Sequence, residues 1–136
     1  MLQPKDPYTF DPTKPYGYML TMDLHKCDVS KFNREDLEGF FQQLCDLTEM
    51  ELAEIFFWDD FDTPEEEKQT EPHTVGTSAV CFILTSNITV HTLDILERVY
   101  LDLFTCKPFD PEVAKAFIVE WFGSKEVKQS TFLERL

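Results

Sequence analysis

The chain has 136 residues, 12 of them basic and 26 acidic, which gives a formal net charge of −14. That balance opposes a nucleic-acid partner, whose phosphates are held by clustered Lys and Arg, and it opposes an anionic membrane surface. Hydrophobic residues at 43%, with 13 Phe, are too many for a disordered chain, and the length suits one core rather than two.

Pro4, Pro7, Pro12 and Pro15 fix φ and remove donors, so residues 1–15 are expected to form an extended arm ahead of a single domain over 16–136. Tyr16 to Asp23, running into Leu24-His25-Lys26-Cys27, reads as a strand. Asn33 stands at an N-cap position with Glu35 and Asp36 in the first turn. Leu37, Phe40, Phe41, Leu44 and Leu47 then recur at helical spacing, which predicts an amphipathic helix despite Gly39. Residues 51–58 read as a second strand. From Asp59 to Glu71 seven acids face the single Lys68, and with Pro64 this reads as a solvated hairpin connection rather than a metal site.

Thr77 to Thr85 is apolar enough for a central strand, Ile88 to Leu93 alternates strictly, and Arg98 to Cys106 alternates again. Asp110-Pro111-Glu112 is a helix start, Val113, Ala114, Phe117, Ile118 and Trp121 form one face, and Gly123 supplies the stop. Residues 126–132 read as a last strand. The order β-α-β, β-β-β, α-β predicts an α+β fold, a two-layer sandwich of a mainly antiparallel sheet with two helices on one face. The other face keeps Phe and Leu side chains uncovered, so a homodimer packed sheet to sheet is expected.

Cys27, Cys45, Cys81 and Cys106 include no Cys-x-x-Cys pair and read as reduced thiols. No apolar run approaches the roughly 18 residues of a membrane span, and the first residues lack a signal-peptide apolar region, so a cytoplasmic protein is expected. Four scattered glycines make no phosphate cradle, and His25, His73 and His91 are not paired at i, i+4, which disfavours a metal. There remain Ser78, Ser86, His91 and Cys106, on or beside consecutive expected strands, whose pairing would set a nucleophile beside its base. Each also has an ordinary explanation: a strand serine, a Ser86-Asn87 turn, a half-buried strand histidine, a small core thiol. Spacing alone leaves both readings open.

The segment Thr85-Ser86-Asn87-Ile88-Thr89-Val90-His91-Thr92, followed by Leu103-Phe104-Thr105-Cys106, resembles the short prokaryotic S-adenosylmethionine decarboxylases. In that family Ser-His-x-x-x-His-Thr is followed by Phe-Thr-Cys, with a serine upstream. Here Ser78 stands eight residues before Ser86, His91 five after it, and Cys106 fifteen after His91, all matching the family's spacing. The opening strand through Asp23-Leu24-His25-Lys26-Cys27 is also similar, so the likeness spans about residues 16–132. The resemblance implies self-cleavage between Thr85 and Ser86, in which the serine hydroxyl converts the preceding amide to an ester and elimination leaves a covalent pyruvoyl cofactor made from Ser86. It further implies that this ketone acts as the electron sink when a small-molecule substrate loses CO₂. His91 and Ser78 would assist processing, one handling the proton and the other orienting the ester, and Cys106 would reprotonate the product carbon. The product would be decarboxylated S-adenosylmethionine, the aminopropyl donor for spermidine, made by a homodimer of processed protomers.

The sequence also departs from the family. Thr85 and Asn87 flank the serine where Glu and His are usual, and Leu93-Asp94-Ile95 replaces Trp-Pro-Glu. The missing Glu is a ligand for sugar hydroxyls, and a buried hydroxyl left unpaired costs about 1–3 kcal/mol. Asp94 is one position away, where adjacent strand residues face opposite ways. Two alternatives follow: a pyruvoyl-dependent decarboxylase of a smaller amino acid, ornithine or arginine, and a non-cleaving regulatory or structural relative.

Overall fold

Alternating patterns in six segments build one sheet, and the computed structural model describes it through residues 10–136. In chain order the elements are β1 (Gly17–His25), α1 (Arg34–Leu47), β2 (Leu52–Trp58), β3 (Ser78–Ile83), β4 (Ser86–Leu93), β5 (Arg98–Thr105), α2 (Pro111–Phe122) and β6 (Glu126–Arg135). The strand order is β2-β3-β4-β5-β1-β6, and every neighbouring pair is antiparallel. The arm expected over 1–15 lies mostly outside the described residues. Its described end holds a turn in which the Asp11 side chain accepts the Thr13 N–H at 2.9 Å.

The helix boundaries follow from their caps. Asn33 accepts the Asp36 N–H at 2.8 Å, and Asp110 accepts the Glu112 and Val113 N–H groups at 2.9 and 3.3 Å with Pro111 at the first helical position. Gly123 ends α2 at φ +58, a left-handed value that glycine adopts without steric cost. Both helices bury their apolar stripes on the same side of the sheet. Phe40 packs within 4.9–6.0 Å, centroid to centroid, of Phe41, Phe117, Trp121 and Phe122, and Leu20, Met22, Leu24, Ile88, Val90, Leu101 and Leu103 come up from the strands to meet them. The α+β sandwich expected from the sequence is the fold observed.

Among the described residues no helix lies over the opposite face. Cross-strand register places Trp58, Ser78, His91, Tyr100, Asp23 and Gln129 in one row on this face, near one end of the sheet. A second row nearer the other end runs through Phe82, Asn87, Phe104, Met19 and Leu133. Trp58 is 83% and Phe56 51% exposed on this open face.

One turn differs from its sequence expectation. A strand reaching Thr85 was expected, with a Ser86-Asn87 turn as the ordinary reading of that serine, whereas β3 stops at Ile83, the turn is Leu84-Thr85, and β4 begins at Ser86. Pairing decides it: Ile83 lies opposite Ser86, which leaves two residues for the connection. Unstrained hairpins of this length put positive φ on the first central residue. Here it falls on the second, Thr85, at φ +67, a conformation that costs a β-branched residue about 1–2 kcal/mol.

Candidate active site

Ser86 starts β4 on the helix side of the sheet and is only 8% exposed. Its Oγ accepts the Cys106 backbone N–H at 3.2 Å, so the residue just past β5 holds the hydroxyl in place. The Thr85 hydroxyl donates to Leu84 O at 2.6 Å, which uses its single proton. Thr85 Oγ1 also lies 3.0 Å from Cys106 Sγ, which sets the thiol against the turn. Beyond it, Lys107 N–H donates to Thr105 Oγ1 at 3.0 Å, and the Lys107 ammonium reaches Glu49 O just past α1.

Ser78 and His91 face one another across β3 and β4, with Ser78 Oγ 2.8 Å from His91 Nδ1. When the ring proton sits on Nε2, the hydroxyl donates to Nδ1. This end is drawn tight by Thr77 N–H donating to Thr92 Oγ1 at 3.0 Å and by the Thr92 hydroxyl donating to Thr77 O at 3.1 Å. Gly76 precedes it, and a Cβ there would lie 1.7 Å from Thr92 O, so only glycine fits.

The structure thus joins Ser86 to Cys106 and Ser78 to His91, but it does not join the two pairs within one chain. His91 lies five steps along β4 from Ser86, about 17 Å at a rise of ~3.4 Å per residue. Alternation also sends the two side chains to opposite faces, Ser86 inward and His91 onto the open face. Strand pairing, from which a single cluster of four was expected, delivers two halves.

A cavity of about 400 Å³ opens beside the Ser78–His91 pair, with Trp58, Asp59, Asp60 and His73 in its wall. Asp59 is held by Arg34, whose Nε and Nη2 each donate at 2.8 Å while the guanidinium lies 4.8 Å from the Phe61 ring centroid. The Arg34 hydrogen bond outweighs the opposing effect of partial burial and keeps the Asp59 carboxyl below its ordinary pKa. Asp60 accepts the Gln69 N–H at 2.7 Å. The sequence reading took residues 59–71 as a solvated connection and missed this wall; the available signal was an aromatic strand end, Trp58, running directly into paired acids. Leu93 also lines the cavity, whereas Asp94 and Ile95 beyond it do not, and Ile95 is 54% exposed. Partial burial raises the Asp94 carboxyl above its ordinary pKa.

Comparison with known proteins places the chain among the carboxy-lyases. The family model for S-adenosylmethionine decarboxylase matches residues 18–135, and the chain belongs to that family. S-adenosylmethionine decarboxylation is the activity that membership assigns. The fold is similar to that in the crystal structure of the adenosylmethionine decarboxylase from Aquifex aeolicus VF5, with a TM-score of 0.70 and 18% identity over 90% of this chain and 92% of that one. No curated protein matches the chain. Among the described residues no helix is long and apolar enough to cross a membrane.

Proposed function

We propose that the protein is a self-processing, pyruvoyl-dependent decarboxylase of S-adenosylmethionine that works in the cytoplasm as a homodimer and supplies the aminopropyl donor for spermidine. The observation that carries this reading is the setting of Ser86: a buried hydroxyl, fixed by the Cys106 N–H, directly after a strained hairpin residue. Ser86 Oγ attacks the Thr85 carbonyl carbon; a C–O bond forms, the Thr85–Ser86 C–N bond breaks, and the hydroxyl proton ends on the freed amine. Loss of the Ser86 α-proton then expels Thr85 as a carboxylate, and water releases the nitrogen as ammonia, leaving the pyruvoyl group at position 86. The residues present fit that group, because the Cys106 thiol lies 3.0 Å from the Thr85 hydroxyl, beside the bond that is cut. Once formed, the group supplies a sink for the electron pair left by departing CO₂. Cys106 returns a proton to the product carbon.

The Ser78–His91 half of the site reaches the Leu84-Thr85 turn, at the end of the sheet just before Ser86, by dimerisation. Both side chains project from the open face, where Trp58 and Phe56 are largely exposed among the described residues. A two-fold axis between two such faces, running across the strands, sets the Ser86–Cys106 end of one copy against the Ser78–His91 end of the other. The cavity beside His91 then becomes the substrate chamber. Its Asp60 carboxylate favours a cationic amino acid, ornithine or arginine, as the second reading of the substrate.

Intact mass on wild-type protein tests processing: two fragments meeting between Thr85 and Ser86 are expected, and a chain that stays whole overturns the reading. Co-expression tests the composite site. Ser86→Ala and His91→Ala chains each fail to cut alone; in mixed dimers the His91→Ala chains, which retain Ser86, are cut by their partners. Release of labelled CO₂ from S-adenosylmethionine, against ornithine and arginine, settles the substrate.

A further inference from the structure

We propose that Thr85 is a positioning residue for self-cleavage, its left-handed backbone loading the bond that breaks. The inference rests on the self-processing reading and explains why a residue unlike the family's usual Glu serves before the serine.

Four non-glycine residues among those described have positive φ: Lys26, Glu49, Thr85 and Glu97. Thr85 alone is β-branched, which makes its conformation the most strained of the four. Nothing local asks for it. It is imposed from outside by the pairing of Ile83 with Ser86 and of Cys81 with Ile88, and by the Leu84 N–H donating to Glu51 O at 3.0 Å. The side chain is pinned as well, donating to Leu84 O at 2.6 Å and lying 3.0 Å from the Cys106 thiol. A residue so over-determined holds its strain until a constraint is cut.

The chemistry releases it. In the acyl shift the amide nitrogen linking the Thr85 carbonyl to the Ser86 Cα is replaced by Oγ and Cβ, two atoms in place of one. The turn lengthens, and Thr85 is free to swing back towards negative φ while the proton passes to the Ser86 amine. Strain present in the amide and relieved on the way to the ester lowers the barrier to the shift. Elimination then makes Thr85 a chain end, and the thiol contact that parked Cys106 is no longer enforced.

Thr85→Gly removes the strain, because glycine adopts positive φ freely. Cutting, followed by intact mass, should slow by about tenfold, the equivalent of ~1.4 kcal/mol on the barrier. In the uncut Ser86→Ala background the same change should raise Tm, since the turn is relaxed. Slower cutting together with higher stability separates strain from a merely disordered turn, which would lower both. Thr85→Val keeps the branched Cβ and loses the hydroxyl, and it should restore most of the rate lost in Thr85→Gly. Cutting by Thr85→Gly at the wild-type rate, or a fall in its Tm, overturns the inference and leaves self-processing intact. A wild-type chain that never cuts overturns both.

Discussion

Cys106 differs from the other three cysteines in its surroundings. Cys27, Cys45 and Cys81 are buried in the core, and burial pushes the Cys27 thiol up to about 11. Cys106 is partly exposed beside the Leu84-Thr85 hairpin. Titration of the folded protein with an aromatic disulfide reagent should therefore show one promptly reacting thiol, and denaturation should reveal all four. The roles proposed for the two hairpin-end residues separate in the same way. Ser86→Ala should abolish cutting and turnover together, whereas Cys106→Ala should still cut and lose about 10²–10⁴-fold in turnover. Gly76→Ala belongs at this scale too. Its methyl would collide with the Thr92 backbone, which cannot yield without parting β3 from β4, so Tm should fall and the Ser78–His91 contact should be lost.

At the scale of elements, the Arg34–Asp59 pair anchors the chain after β2 to the first turn of α1 and so holds one wall of the cavity. Asp59's pKa is lower folded than unfolded. Its contribution is then fully present above the unfolded value near 4 and is lost as pH falls through the folded value. Stability should decline in that acid window, and Asp59→Asn should flatten the decline in a melting series between pH 5 and 2. Most elements were legible because their signals are local. Asn33, Asp110 with Pro111, and Gly123 each act within a few residues of themselves, and alternation in β4 and β5 marks a half-buried sheet wherever it occurs. The Leu84-Thr85 turn was not legible, since neither residue favours a turn and Ser86-Asn87 next door does. Strand pairing, a property of two segments at once, overrode that preference. The same reason hid the cavity wall: Asp59 gains its partner from Arg34, twenty-five residues earlier. His91, Ser86, Ser78 and Cys106 could be picked out from spacing and resemblance, but which of them touch was set by register.

For the whole molecule, the uncovered face and the charge of −14 act against each other. Two copies brought face to face bury Trp58 and Phe56, yet they also bring together two strongly negative bodies. Salt screens that repulsion over about 10 Å at 0.1 M while leaving the apolar contact intact. Sedimentation should accordingly show tighter association at 0.15 M than at 0.01 M salt, and a dimer that loosens with salt would locate its adhesion elsewhere.

The strand order has a last consequence if the chain is cut at Thr85–Ser86 as proposed. The stretch before the cleavage point contributes β1, β2 and β3, and the stretch after it β4, β5 and β6. In the sheet, β1 is threaded between β5 and β6, and β3 lies against β4, so the two pieces are woven rather than stacked. Neither can leave without unravelling the other, and they should travel together through gel filtration with no covalent tie. Once unravelled, they must find one another again. Renaturation should become second order in the mature protein and slow on dilution, while the uncut Ser86→Ala chain regains its protomer fold at a rate indifferent to concentration.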